Sequence, residues 1–129
     1  MTPPNPTGAA VEPDVERREH TFAFVDLAGF TAATEVHGDS TAVELAERLV
    51  EVATSSLGPG DLLVKSIGDA VMLVCDSALA AVRLVGAICS ELDDEPAFPV
   101  LRAGIHEGPA IERDGDWFGG AVNLAARVA

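Results

Sequence analysis

Cysteine is scarce, basic side chains are few, and no apolar run is long. The two cysteines are Cys75, in an apolar strand-like run, and Cys89, on the apolar stripe of a helix-like one. Both read as small hydrophobes, which excludes a disulfide framework and a zinc cluster. Eight lysines and arginines stand against 21 aspartates and glutamates, leaving a formal charge of −13. That charge repels a phosphate backbone and leaves no basic stripe, so polymeric nucleic acid is excluded as a partner. No stretch approaches the roughly 20 apolar residues that span a bilayer. The N-terminus also lacks the basic segment and apolar run of a secretory signal. The expectation is a cytoplasmic protein with no membrane partner.

What is there fits one domain: 129 residues, 48% of them hydrophobic, suffice for a single core. Residues 1–20 are proline-rich and charged, with too little apolar content to pack, and read as a tail. The domain is expected over 21–129. Its first element is a short buried strand over 22–25, followed by a brief helix over 31–37. Thr41 and Glu44 have the spacing of a capping box ahead of a helix reaching residue 57, with Val43, Leu45, Ala46, Leu49, Val50 and Ala53 as its apolar stripe. Gly58-Pro59-Gly60 ends it. Two apolar runs, 62–65 and 70–75, read as a β-hairpin whose loop presents Asp69. Residues 77–92 return to helical spacing through Leu79, Val82, Val85, Cys89 and Leu92. A strand over 100–106, a hairpin around Asp114-Gly115 and a helix from about Gly119 complete the chain. The order contains the βαββαβ unit of the ferredoxin-like α+β folds, an antiparallel sheet covered by helices with strands one and three at its centre. Asp26, closing the first strand, then lies close to the loop carrying Asp69.

Two carboxylates beside glycines at strand ends are suitable ligands for hard divalent cations. Asp26 precedes Gly29, and Asp69 follows Gly68. A small nucleotide can approach so acidic a chain when a metal ion brings its own positive charge. For either aspartate alone, capping a glycine turn is the plainer reading.

Three stretches together resemble the class III nucleotidyl cyclases: FVDLAGFT at 24–31, VKSIGD at 64–69, and LRAGIH at 101–106 continuing to GGAVNLAAR at 119–127. The resemblance runs from about His20 to the C-terminus. It implies that Asp26 and Asp69 hold two Mg²⁺ or Mn²⁺ ions per site. One ion activates the ribose 3′-hydroxyl and the other grips the triphosphate, while backbone amides of Leu27, Ala28, Gly29 and Phe30 cradle the outer phosphates. It further implies that Asn123 orients the ribose and Arg127 meets the α-phosphate. Four residues apart on a helix, these two share a face.

Base choice follows from complementarity, since adenine shows an acceptor at N1 and a donor at its amino group. At the family's base-recognising positions Lys65 supplies a donor and Asp116 an acceptor, so the expected substrate is ATP and the product cyclic AMP. The resemblance places these two groups of residues in different subunits, so a head-to-tail homodimer with shared sites is expected and a monomer should be inactive. The family's domain continues past this last helix, so the chain is expected to be short at its C-terminus. That leaves a second reading, a cyclase-like module that binds nucleotide or a partner without turnover. Seen singly, Lys65 reads as a solvated strand lysine, Asp116 as a turn residue, Asn123 as surface, and Arg127 as a cation favouring the helix dipole. His37 and His106 read as structural.

Overall fold

The computed structural model describes residues 19–28 and 39–128. The helix expected over 31–37, His37, and most of the N-terminal tail lie outside that range. The described elements are β1 (Glu19–Leu27), α1 (Asp39–Ser56), β2 (Leu62–Ile67), β3 (Ala70–Cys75), α2 (Ala78–Asp93), β4 (Leu101–Pro109), β5 (Ile111–Arg113), β6 (Asp116–Phe118) and α3 (Gly120–Val128). β1 to β4 form one antiparallel sheet in the order β2-β3-β1-β4, the ferredoxin-like arrangement, while β5 and β6, among the described residues, pair only with each other. None of the described helices is long and apolar enough to cross a membrane.

β1 is the strand on which both layers are built. Ala23, Val25 and Leu27 point to one face and pack with Val71, Leu73 and Cys75 of β3 under α1 and α2. Phe22 and Phe24 point to the other, where Met72, Val74, Ala110 and residues Ala121, Val122 and Ala125 of α3 complete a second core. A strand buried on both faces reads as continuous apolar sequence, which is why 22–25 stood out. Pairing carries it further, to Glu19 opposite Pro109, so the sheet takes in two residues assigned from sequence to the tail.

The helix faces differ from the sequence reading. On α2, Leu79 and Val82 are 61% and 57% exposed, and the buried residues are Ala81, Leu84, Ile88 and Leu92. The helix is apolar almost all round, so several stripes fit its period, and a small alanine lets it lie close to the sheet. On α1 the buried set is Ala42, Leu49, Val52 and Ala53, leaving Val43 exposed. α1 is already helical at Asp39, so Thr41 stands inside the first turn and cannot cap it, because a cap needs non-helical backbone. Ser77 does cap α2, its hydroxyl accepting from the Ala80 amide at 3.1 Å. Both cysteines are free. Burial first, and then a hydrogen bond to Asp61, pushes the Cys75 thiol up to about 12.

α3 approaches β4 closely at Gly108, where an added Cβ would lie 2.9 Å from that of Ala121. Gly108→Val should therefore cost about 1–3 kcal/mol through overpacking. Gly86→Ala, in α2 with open space around the new methyl, should stabilise by up to about 1 kcal/mol. Denaturant unfolding of the two variants tests both; equal effects would refute the packing argument.

Candidate active site

The register of the central strands brings the first two candidates together. Asp26 lies opposite Ala70 of β3 on one side and Arg102 of β4 on the other. Asp69 immediately precedes Ala70 in a two-residue turn, with Gly68 at φ 58°, the sign that the first turn position requires. Arg102 grips Asp26 with two bonds, Nε to Oδ1 at 3.1 Å and Nη2 to Oδ2 at 3.3 Å. Hydrogen bonding to Asp26 and the charge of Asp26 raise the guanidinium pKa against the cost of burial, and the charge of Asp69 adds a smaller push in the same direction. Sequence reasoning missed Arg102, although it lies within the LRAGIH stretch. Its partner is 76 residues away, and only strand register reveals it.

The four residues expected to cradle phosphate are treated unequally. The Ala28 amide donates to the Val100 carbonyl at 2.7 Å, so it is already satisfied within the sheet. Alternation in the antiparallel ladder turns the Leu27 N–H the other way, toward the β2–β3 turn. Gly29 and Phe30 lie outside the described residues.

Lys65 owes its position to a β-bulge. Leu63 pairs with Leu73, yet Lys65 pairs with Met72, leaving Val64 as an extra residue. In a regular ladder Lys65 would oppose Val71 and point at the helices. The one-residue slip turns it to the face of Met72, Phe22 and α3 instead. There its Nζ meets Asp116 Oδ2 at 2.6 Å. Asp116 lies in β6, just after an Asp114-Gly115 turn with φ values of 55° and 82°. Its other oxygen, Oδ1, accepts the Trp117 backbone N–H at 2.8 Å. The Lys65 hydrogen bond, followed by that of Trp117, holds the Asp116 carboxyl below the usual carboxylate range.

α3 buries Ala121, Val122 and Ala125 and leaves Asn123 and Arg127 exposed, one turn apart. Neither side chain bonds another described residue. The structure thus joins Asp26, Asp69 and Arg102 at one place and Lys65 and Asp116 at another. Asp26 and Lys65 share the sheet face that α3 covers, and neither Asn123 nor Arg127 is bonded to either group. His106 lies opposite Phe22 on β4. Among the described residues no group of three or more His, Cys, Asp or Glu converges on a point. A two-carboxylate site of this kind suits a cation whose remaining ligands come from phosphate and water.

No protein-family model matches the chain. It is 42% identical over 120 residues to a pH-sensitive adenylate cyclase of Mycobacterium tuberculosis, covering 93% of the chain and 30% of that protein. It is 33% identical over 121 residues to an adenylate cyclase of Streptomyces griseus, again covering 93% and 30%. The chain thus spans about a third of the length of these relatives. Among solved structures, a bacterial light-regulated adenylyl cyclase superposes with a TM-score of 0.72 at 28% identity, over 85% of this chain and 68% of that one. With three motifs, the strand order and these likenesses in agreement, the chain belongs to the class III nucleotidyl cyclases, as a catalytic domain of that family.

Proposed function

We propose that this chain is an adenylate cyclase, converting ATP to 3′,5′-cyclic AMP and pyrophosphate in intracellular signalling, at sites shared between two copies of itself. The observation that carries this reading is the Lys65–Asp116 pair, a donor and an acceptor held side by side in the pattern complementary to adenine. Guanine would meet that pair with donor against donor and acceptor against acceptor. The adenylate cyclases among the relatives support the same choice.

Asp26 and Asp69 would hold the divalent ions, Mg²⁺ or Mn²⁺. The fit is supported by Arg102, since a cation already sits in the field of both carboxylates. The bound ions supply charge neutralisation at the 3′-oxygen and the triphosphate. The chain's own residues do the positioning. Lys65 donates to adenine N1, and Asp116 accepts from the amino group. Asn123 orients the ribose so that its 3′-oxygen faces the α-phosphorus. Arg127 meets the charge that develops on the α-phosphoryl oxygens as the bond to pyrophosphate breaks. Arg102, released from Asp26, becomes available to the outer phosphates. Asn123 and Arg127 are exposed and bonded to no described residue, which leaves them free to serve a second copy, so that a head-to-tail homodimer builds two complete sites. Its substrate places the reaction in the cytoplasm.

Cyclic AMP formation from ATP with Mn²⁺ should rise faster than linearly with protein concentration and be lost in Asp26→Ala and in Arg127→Ala. Mixing those two variants should restore part of it, because one heterodimeric site regains its full set. Folded protein that binds ATP without product would instead establish a silent module. Arg102→Ala removes a cation that competes for Asp26, so half-saturating Mn²⁺ should fall several-fold while KM for ATP rises. Both moving together would contradict the dual role. Lys65 holds the Asp116 carboxyl below the usual carboxylate range, so it stays charged as pH falls from about 7 to about 5, above that range. Preference for ATP over GTP should therefore stay flat over that interval, which a pH series of competition binding will show.

A further inference from the structure

β5 and β6 form a separate two-stranded ribbon of three-residue strands, with no hydrogen-bonded ladder to the main sheet. Such a ribbon is marginal alone and needs an anchor. Asp116 is carried on it, and Lys65 is carried on β2. Each is chain-adjacent to an apolar residue packed into the same core: Val64, the bulged residue, precedes Lys65, and Trp117 follows Asp116. The Trp117 ring meets two rings of β1 edge-on, His20 at 4.5 Å and Phe22 at 5.6 Å between centroids. Its backbone N–H fixes Asp116 Oδ1, while Lys65 fixes Oδ2. The indole N–H is buried with no acceptor among the described residues. Among the described residues, then, what the side chain contributes is area and rigidity rather than a hydrogen bond.

We propose that Trp117 is a positioning residue for base selection: clamped by His20 and Phe22, it ties the β5–β6 ribbon to β1 and holds Asp116 where Lys65 and an adenine can both reach it. This rests on the base-reading role proposed above for Lys65 and Asp116. A wandering Asp116 would still be charged, but its acceptor would no longer be set at one place, so discrimination between bases would fall more than binding of the triphosphate.

The test compares affinity for 3′-deoxy-ATP and 3′-deoxy-GTP, which lack the attacking hydroxyl and cannot cyclise, in the full chain with Mn²⁺. Trp117→Ala should lower the ATP-over-GTP ratio about tenfold, and Trp117→Phe should restore most of it, since a ring without the N–H still fills the slot. Val64→Ala, acting on Lys65 from the bulge, should shift the ratio in the same direction and decides the matter if Trp117→Ala does not fold. The wild-type chain has one tryptophan and no tyrosine, so its emission reports on this position alone and should change with the adenine nucleotide. Asp116→Asn separates the two levels of the argument. If it abolishes the preference while folded Trp117→Ala and Val64→Ala keep it, the positioning role is wrong. If Asp116→Asn itself keeps the preference, the base-reading role fails and takes this inference with it.

Discussion

The parity of β1 is the constraint on which the rest of the structure depends. Ala23, Val25 and Leu27 are fully buried under two helices, and Phe22 and Phe24 are buried under α3. Each large apolar side chain so covered contributes about 1.5–3 kcal/mol. A slip of one residue would send Asp26 beneath the helices, where an ionised carboxylate without partners is far costlier than any methyl gained. The pattern that stabilises the sheet is therefore the pattern that places Asp26 near its end, on the face away from α1 and α2, beside Arg102. β2 shows the same rule by exception. Lys65 reaches the site face only because Val64 breaks the alternation, and Val64 is itself packed into the second core.

Net charge gives a misleading picture of such a site. A chain at −13 ought to repel a triphosphate, yet three of its eight basic residues, Lys65, Arg102 and Arg127, stand at the candidate positions. Screening at physiological salt confines exposed charges to about 8 Å, so the local balance governs what binds. Locally each carboxylate of interest has a cation in contact or close by, and the surplus acid lies elsewhere, as on the exposed run of α1 through Glu44, Glu47 and Glu51.

Legibility in the sequence follows the range of the interaction. β3 was readable to the residue, and the Asp114-Gly115 turn was readable too, because turn chemistry is local and leaves few alternatives. The strand order followed from element order under the short, right-handed connections that folds allow. Helix faces were not readable where the composition was uniform: on α2 the larger Leu79 and Val82 drew the eye, but Ala81 and Leu84 touch the sheet. Asp26, Asp69, Lys65 and Asp116 were nameable from motifs. The nearness of Asp26 to the Asp69 loop followed from the strand order, but the direct ion pairs did not, since Arg102 on Asp26 spans 76 residues and Lys65 on Asp116 spans 51 through a bulge. An irregular ladder leaves no mark on hydrophobic period, because the inserted valine is as apolar as its neighbours.

Both ion pairs are half-open, and that degree of exposure bears on what they can do. In the Lys65–Asp116 pair the side chains keep 40% and 30% of their surface, and in the Arg102–Asp26 pair 58% and 20%. Pairs reached by water contribute little to folding and exchange partners at little cost. A fully buried pair would lose far more on opening, because each charge would be stranded in a dry interior. With both groups retained in water's reach, the proposed base-reading role would let adenine take the place of one half of the first pair, and the proposed metal role would let a divalent cation take the place of Arg102 in the second. The polypeptide thus orients these charged groups by pairing them with each other rather than burying them, and at Lys65 and Asp116 the chain-adjacent Val64 and Trp117 add apolar packing that the pairing lacks.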